Sequence, residues 1–123
     1  MDGLRILVVE DLHDIADSMS LLLDLWGYKT NVVYGGRQAI ELAETLHPDV
    51  VFLDIELPDI SGFEVARQLK QSSATASPLL VAITGCGQED DVRRCKEAGI
   101  DLHFLKPVDP EEIKRVLTSR AVR

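Results

Sequence analysis

Cysteine is scarce in this sequence, and so are long apolar runs. The 123 residues contain two cysteines, Cys86 and Cys95, with no CxxC spacing, which argues against a thiolate metal site or a disulfide framework and favours a reducing compartment. No apolar run approaches the roughly 20 residues that a membrane-spanning helix needs, and the acidic start MDGLRILVVED is unlike a signal peptide. We therefore predict a cytoplasmic protein that makes no membrane contact through this segment.

Positive charge is scarce as well. Lys and Arg number 13 against 21 Asp and Glu, and the net charge is −8. Contacts to nucleic-acid phosphates need a basic face, so we expect no direct nucleic-acid partner, whereas a metal cation would suit this charge. Hydrophobic residues make up 46% and charged residues 28% of the chain, which is ordinary for a globular protein. The length suits one core, and we predict one domain over residues 1–123.

What the sequence does contain is a regular alternation of two patterns. Five short apolar runs predict strands: Arg5–Val9, Lys29–Val33, Val50–Leu53, Leu79–Ile83 and Leu102–Leu105. Each run precedes a segment with apolar residues at helical spacing. In the first of these segments the predicted buried face is Ile15, Met19, Leu22, Leu23 and Trp26. Five strand–helix units in strict alternation predict an α/β fold with a parallel sheet and helices on both faces.

Several helix ends carry recognisable signals. Ser61 followed three residues later by Glu64 predicts a capping box at the start of the third helix. Gly27 and Gly99 stand where C-terminal caps belong. Asp109, followed by a proline and two acidic residues, predicts the start of the last helix.

Polar side chains stand at the carboxyl ends of four predicted strands. They are Glu10 and Asp11, Asp54, Thr84, and Lys106. In open α/β sheets, ligands bind beyond these strand ends. Three crowded carboxylates repel unless a cation or protons neutralise them, and Mg²⁺ takes one or two carboxylates while keeping several waters. We favour a metal site over the alternative that Asp54 only caps the turn after its strand.

Asp54 also has the chemistry of a nucleophile. Carboxylates form acyl phosphates in other enzymes, and a metal together with Lys106 would bear the charge of a transferring phosphoryl group. The Thr84 hydroxyl could donate to a second phosphoryl oxygen. A structural salt bridge from Lys106 to Asp54 is the simpler alternative, and the two interpretations are compatible. We predict that Asp54 is a phosphoryl acceptor.

Taken in order along the chain, these residues resemble the receiver domain of bacterial two-component response regulators. The similarity covers essentially the whole chain and rests on four motifs: Glu10-Asp11, Asp54 in FLDIELPDISG, Thr84-Gly85, and Lys106-Pro107. The resemblance implies a flavodoxin-like (βα)5 three-layer sandwich with strand order 2-1-3-4-5. It implies that Asp54 accepts a phosphoryl group from the phosphohistidine of a histidine kinase or histidine phosphotransfer domain, with Mg²⁺ or Mn²⁺ as the cofactor.

The resemblance also assigns the metal ligands. It implies that Asp11 and Asp54 bind the metal directly and that Glu10 acts through a water molecule. The backbone carbonyl of Glu56 would be the third protein ligand. By the same resemblance, catalysis is limited to the domain's own phosphorylation and dephosphorylation, with no independent metabolic activity, and the phosphoryl group either switches a partner interaction or passes on in a phosphorelay.

Other roles follow from the resemblance at the far end of the sheet. Thr84 and Lys106 would contact the phosphoryl group, and the Lys106–Pro107 bond would be cis. The family usually has Tyr or Phe as a switch residue three positions before the lysine, and here that position is His103. The stretch ITGCGQEDDVRRCKEAGIDLHFLKPVDPEEI is most similar to receivers attached to hybrid histidine kinases. A homodimer through the fourth and fifth elements, as in many family members, stays open.

Two other functions compete with this one. A phosphohydrolase of the haloacid dehalogenase type would also use an aspartyl nucleophile, but it carries a second Asp two residues later, where this chain has Glu56. A flavodoxin relative would need a Ser/Thr/Gly-rich phosphate loop after the first strand, and none follows Val9.

Overall fold

Five strands and five helices alternate along the chain. The computed structural model describes residues 4–72, 78–85 and 89–121. The strands are β1 (Arg5–Val9), β2 (Lys29–Val33), β3 (Val50–Asp54), β4 (Leu79–Thr84) and β5 (Leu102–Leu105). The helices are α1 (His13–Leu25), α2 (Gly36–Leu46), α3 (Gly62–Gln71), α4 (Glu89–Glu97) and α5 (Pro110–Ala121). The alternation predicted from the sequence is confirmed, with element ends shifted by a residue or two.

The strands form one parallel sheet in the order β2-β1-β3-β4-β5. Helices α1 and α5 contribute Ala16, Leu23, Ile113 and Leu117 to the core on one face. Helices α2, α3 and α4 contribute to the core on the other face, with Ala39, Val65 and Cys95 among its members. The predicted three-layer (βα)5 sandwich with strand order 2-1-3-4-5 is therefore confirmed.

Strand β3 lies in the middle of the sheet, and all five of its residues are buried. Val51 and Leu53 face the core formed with α2, α3 and α4, while Val50 and Phe52 face the core formed with α1 and α5. Because both faces are covered, the sequence of this strand does not alternate between apolar and polar residues. Its last residue is a carboxylate, Asp54, and only 4% of that residue is exposed.

One predicted helix start has a different hydrogen-bond pattern from the one expected. Ser61 caps α3, and its hydroxyl accepts from the Phe63 amide at 3.1 Å. The two carboxylate oxygens of Glu64 accept instead from Arg67 and Gln68, at 2.6 and 3.1 Å. The serine half of the capping box is confirmed, whereas side-chain pairs along the exposed helix face replace the glutamate half.

The other helix ends agree with the sequence. Gly27 and Gly99 have φ angles of +91° and +88°, the left-handed conformation that favours glycine at a helix C-terminus. The Asp109 side chain accepts from the amide of Glu111 at 2.9 Å, which caps the start of α5. Within the described residues, no helix combines the length and the apolar character that crossing a membrane requires.

Helix α1 buries less of its apolar face than predicted. Leu23 is fully buried, but Ile15 is 44% exposed and borders an open cleft beside the sheet edge. The helical spacing identifies the correct face, but the first turn of α1 extends past the part of the sheet that could cover it. Cys95 is buried as expected, while Cys86 lies outside the described residues.

Gly62 allows the chain to fold back tightly after β3. Its amide donates to the Ile55 carbonyl at 2.8 Å. A Cβ at this position would lie 2.5 Å from the Asp54 carbonyl oxygen and 2.6 Å from the Ile55 Cα. Both of those atoms are backbone, so no side chain could move aside to make room.

We expect Gly62→Ala to lower the free energy of unfolding by about 2 kcal/mol, because the added methyl group overpacks against fixed backbone. Urea denaturation followed by circular dichroism would measure the change. Gly85→Ala is the matched control. Among the described residues, its Cβ would have one neighbour within 4 Å, the Glu56 Oε1 at 3.7 Å, and we expect a change within about 0.5 kcal/mol. Equal stability of the two variants would contradict this reading of Gly62.

Candidate functional site

Three carboxylates meet at the carboxyl edge of the sheet. β1 and β3 are direct neighbours, with Val9 paired to Leu53, so the residues that follow these two strands lie side by side. One ligand oxygen each from Glu10, Asp11 and Asp54 lies within 4.8 Å of the others. The strand order thus brings together the three acids that were singled out in the sequence.

Lys106 joins this cluster from the far edge of the sheet. Lys106 directly follows β5, and β3 and β4 lie between that strand and β1 in the sheet. Its Nζ lies 2.9 Å from the Glu10 Oε1 and 3.5 Å from the Asp54 Oδ2. A bridge from Lys106 to Asp54 was predicted; the shorter contact is to Glu10.

Backbone amides fix the orientation of the buried carboxylates. The Leu12 amide donates to the Glu10 Oε2 at 3.2 Å, and the Glu56 amide donates to the Asp54 Oδ1 at 3.1 Å. Each of these two acids therefore has one oxygen held by an amide and the other directed at Lys106. Only Glu10, Asp54 and Thr84 are polar or charged residues in the buried set of the described chain.

The proximity of Glu10 and Asp54 shifts their protonation in opposite directions. Burial raises the pKa of Asp54, and hydrogen bonding to Glu10 and its charge add to this, so the pKa rises from 3.8 to about 7. Burial also acts to raise the pKa of Glu10, but hydrogen bonds from Lys106 and the Leu12 amide outweigh it and the net pKa is lowered. Near neutral pH the pair shares one proton, which a cation could replace.

The donor set fits a hard divalent cation. Its side-chain donors are all carboxylate oxygens, which Mg²⁺ prefers. Burial, with the hydrogen bond to Glu10 and the charge of Glu10, raises the pKa of Asp54 even with Lys106 nearby, so a cation bound here would favour the ionised carboxylate. Burial acts to lower the pKa of Lys106, but its contacts with Glu10 and Asp54 outweigh burial and raise it, so the ammonium stays charged.

Thr84 and His103 lie on neighbouring strands next to this cluster. Thr84 is the last residue of β4, is buried, and accepts the Lys106 amide on its carbonyl at 2.8 Å. His103 pairs with Ala82 in the β4–β5 ladder. Since side chains alternate along a strand and Ile83 and Phe104 face the α1 and α5 core, Thr84 and His103 share the opposite face. The His103 Nε2 is buried with no hydrogen-bond partner in the described part of the chain.

The remaining sequence-predicted features are also located. Glu56 directly follows the strand end, with an exposed side chain and its amide on Asp54. The Lys106–Pro107 bond is cis, as predicted. Sequence reasoning missed Asp59, whose carboxylate accepts the first amides of α2. No local pattern marks Asp59, because its partners are more than 20 residues away and only the fold brings them near.

The raised pKa of Asp54 predicts that charge at this position destabilises the metal-free protein. Its pKa is 3.8 ordinarily and about 7 in the folded state, so the native protein loses stability as the pH rises between those values. Asparagine does not titrate. We expect the free energy of unfolding of Asp54→Asn to be higher than that of the native protein. The difference should grow across this pH window and reach a few kcal/mol above about pH 7.

Urea unfolding in EDTA at about pH 5 and about pH 8 would measure this margin. A margin of the same size at both pH values would show that the carboxylate does not titrate in this window.

Comparison with known proteins identifies the family. The sequence profile described as response regulator receiver domain matches residues 6–118. RpaA of Synechocystis, described as a DNA-binding dual master transcriptional regulator, is 34% identical over 109 residues, which cover 89% of this chain and 45% of that protein. PhoB of Pseudomonas aeruginosa, a phosphate regulon transcriptional regulatory protein, is 33% identical over 113 residues, with 92% and 49% covered. The chain spans about half the length of these curated relatives.

Solved structures show the same similarity. The receiver domain of the sensor histidine kinase PA1611 from Pseudomonas aeruginosa, solved with a magnesium ion in its active-site cleft, is 26% identical with a TM-score of 0.88, covering 98% of this chain and 99% of that one. The receiver domain of a DNA-binding response regulator from Colwellia psychrerythraea is 28% identical with a TM-score of 0.90, covering 98% and 100%.

These relatives include both DNA-binding regulators and a sensor kinase, so the predicted similarity to hybrid-kinase receivers stays a prediction. The dehalogenase-type and flavodoxin alternatives receive no support from the matches. The family profile covers most of the chain, and the strand order and the acid cluster agree with it. The chain belongs to the family of response regulator receiver domains.

Proposed function

We propose that Asp54 accepts the phosphoryl group in this receiver domain, with Mg²⁺ or Mn²⁺ as cofactor. One observation supports this role above all: Asp54 ends the most buried strand of the sheet, beside two other carboxylates and an ammonium group. A rigid strand holds the nucleophile in place, which favours an in-line approach to phosphorus. The Asp54 oxygen would bond to phosphorus as the phosphorus–nitrogen bond of a phosphohistidine breaks, leaving the electron pair on the imidazole.

The proposed metal ligands are Asp11, Asp54 and the backbone carbonyl of Glu56, with Glu10 acting through water. One oxygen of each carboxylate lies within 4.8 Å of the others, so a single ion could contact all three. Glu56 is two residues after Asp54, and its amide donates to the Asp54 carboxylate. A bound divalent cation would neutralise charge on the transferring phosphoryl oxygens. Glu10, which contacts Lys106 directly, would keep that ammonium in place.

Thr84 and Lys106 are proposed to bind the phosphoryl oxygens. Lys106 already faces the Asp54 Oδ2 at 3.5 Å, where an oxygen of a phosphorylated Asp54 would need compensating charge. Thr84 and His103, on one face of neighbouring strands, are proposed as the switch that reports phosphorylation. The His103 Nε2, which is buried and has no hydrogen-bond partner among the described residues, would gain a hydrogen bond if this region rearranged.

The phosphodonor is proposed to approach over the cleft between α1 and α5. This cleft, about 590 Å³ in volume, contains Asp54 and Lys106 in its wall. Ile15, which is 44% exposed, lies on α1 in the wall of the cleft, and Leu12, the N-cap residue of α1, is 53% exposed. Family membership implies a histidine kinase or histidine phosphotransfer partner, and an apolar rim of this kind would suit the helix that presents the phosphohistidine.

What the phosphorylated domain controls depends on the rest of the protein in which it works. We propose that residues 1–123 form one receiver domain, in the cytoplasm, whose phosphorylation alters a partner interaction or feeds a phosphorelay. The curated relatives named above are DNA-binding regulators about twice as long, so the expected lack of direct nucleic-acid contact applies to this segment alone and stays a prediction. The homodimer likewise stays a prediction.

Incubation with acetyl phosphate and Mg²⁺ should add one phosphoryl mass to the native chain and none to Asp54→Asn, because the amide is not a nucleophile for phosphorus. Intact-mass spectrometry would measure the gain. EDTA added beforehand should abolish it in the native chain as well. An equal gain in the Asp54→Asn variant would place the acceptor elsewhere.

Mg²⁺ at about ten times its dissociation constant should raise the free energy of unfolding of the native chain by about 1.4 kcal/mol. Thermal unfolding with and without the metal would measure this. Asp11→Asn should lose most of the stabilisation, since it removes a proposed direct ligand. Asp24→Asn, the same change at an exposed position near the end of α1, should keep it. Full stabilisation of Asp11→Asn would contradict the assignment of that ligand.

A further inference from the structure

Helix α2 takes its N-terminal cap from a distant loop. Its own N-cap residue is Gly35, which offers no side chain. The Asp59 Oδ1 accepts the Gly36 amide at 2.9 Å, and the Asp59 Oδ2 accepts the Arg37 amide at 2.9 Å. Asp59 lies 23 residues beyond Gly36, in the connection between β3 and α3. Both oxygens of this exposed carboxylate thus accept hydrogen bonds from the backbone of another element.

The contact is close and strongly polar. A Cβ on Gly36 would lie 2.7 Å from side-chain atoms of both Ile60 and Val65, and one on Gly35 would lie 3.3 Å from the Asp59 Oδ2. The start of α2 can therefore approach the β3–α3 connection only because it consists of two glycines. Hydrogen bonds from the amides of Arg37 and Gly36 lower the pKa of Asp59 to about 2, and the positive end of the helix dipole favours the same ionised form.

Asp59 stands at the tip of the loop that follows the phosphoacceptor. At the base of this loop, the amides of Leu57 and Gly62 both donate to the Ile55 carbonyl, at 3.2 and 2.8 Å. Towards the tip, Glu56, Pro58 and Asp59 are exposed, so burial does little to hold them. The two hydrogen bonds to α2 are a second attachment of this loop, two residues beyond Leu57.

We propose that Asp59 is a positioning residue for the metal site, holding the loop so that the Glu56 carbonyl faces the cation. This inference rests on the proposed function, in which that carbonyl is a metal ligand. Helix α2 is packed on the sheet and cannot move freely. The hydrogen bonds between Asp59 and α2 therefore restrain the loop as well as capping the helix. Groups that hydrogen-bond directly to a metal ligand typically contribute about 10- to 100-fold in metal affinity. Asp59 acts on Glu56 through the two residues between them, so we expect an effect at the lower end of that range.

The matched control is Asp49, which makes a similar contact at the opposite end of the sheet. Its Oδ2 accepts the backbone amide of Arg5 at 2.8 Å, between residues 44 positions apart. Asp49→Ala therefore removes a carboxylate and a cross-element hydrogen bond, as Asp59→Ala does, but it leaves the β3–α3 loop untouched. Both variants should lose some thermal stability.

The experiment is calorimetric titration of the full chain with Mg²⁺, at a temperature where circular dichroism shows every variant folded. We expect Asp59→Ala to weaken Mg²⁺ binding about 10-fold and Asp49→Ala to leave it at the native value. Asp59→Asn keeps one acceptor oxygen and should fall between native and Asp59→Ala. With acetyl phosphate at saturating Mg²⁺, the phosphorylation rate of Asp59→Ala should return to near native, since its nucleophile is intact.

Native affinity in Asp59→Ala, or equal weakening in Asp49→Ala, would overturn the inference and leave Asp59 as a helix cap only. If Asp59→Ala does not fold, Asp59→Asn decides, and native affinity in that variant would overturn the inference in the same way. Failure of the native chain itself to bind Mg²⁺ would instead reject the proposed function, and this inference with it.

Discussion

The repulsion between two buried carboxylates, and its compensation by one ammonium, is the interaction on which the site depends. Asp54, at the end of the central strand, lies close to Glu10 in a buried position. Burial there disfavours the ionised form of Asp54. Lys106 meets both of them, at 2.9 and 3.5 Å, but one positive charge cannot balance the whole cluster. The proposed divalent cation would supply the positive charge that this cluster lacks, which a fully paired cluster would not need.

Much of the fold could be predicted because the relevant signals are local. Apolar runs without alternation indicate strands covered on both faces, and β3 is such a strand. Glycines at helix ends act through their own backbone, as at Gly27 and Gly99. The two errors have different causes. Ile15 has the right spacing for a buried position, but no strand or helix covers it fully and it stays 44% exposed among the described residues. Glu64 has side-chain partners on its own helix that compete with the cap.

The site could be predicted as far as strand order fixes it. Placing Glu10 and Asp54 together requires only that the first and third strands be neighbours. Which carboxylate Lys106 approaches more closely depends on the path of the chain after β5 and on the conformation of a long, flexible side chain, and no local sequence pattern encodes either. The role of Asp59 could not be predicted from the sequence. Asp is common in turns, and the local sequence does not indicate whether the start of a distant helix lies within hydrogen-bonding distance.

The reach of Lys106 has a consequence for the order of assembly. The carboxylates come from β1 and β3, in the first half of the chain, while their counter-ion arrives with the last strand. A partly folded form without β5 would hold Glu10 and Asp54 together without the ammonium. Like-charge repulsion would then disfavour that form unless a proton or a cation took the place of Lys106. The residue that completes the site thus also favours completion of the sheet, because its ammonium offsets the carboxylate repulsion only when β5 is in place.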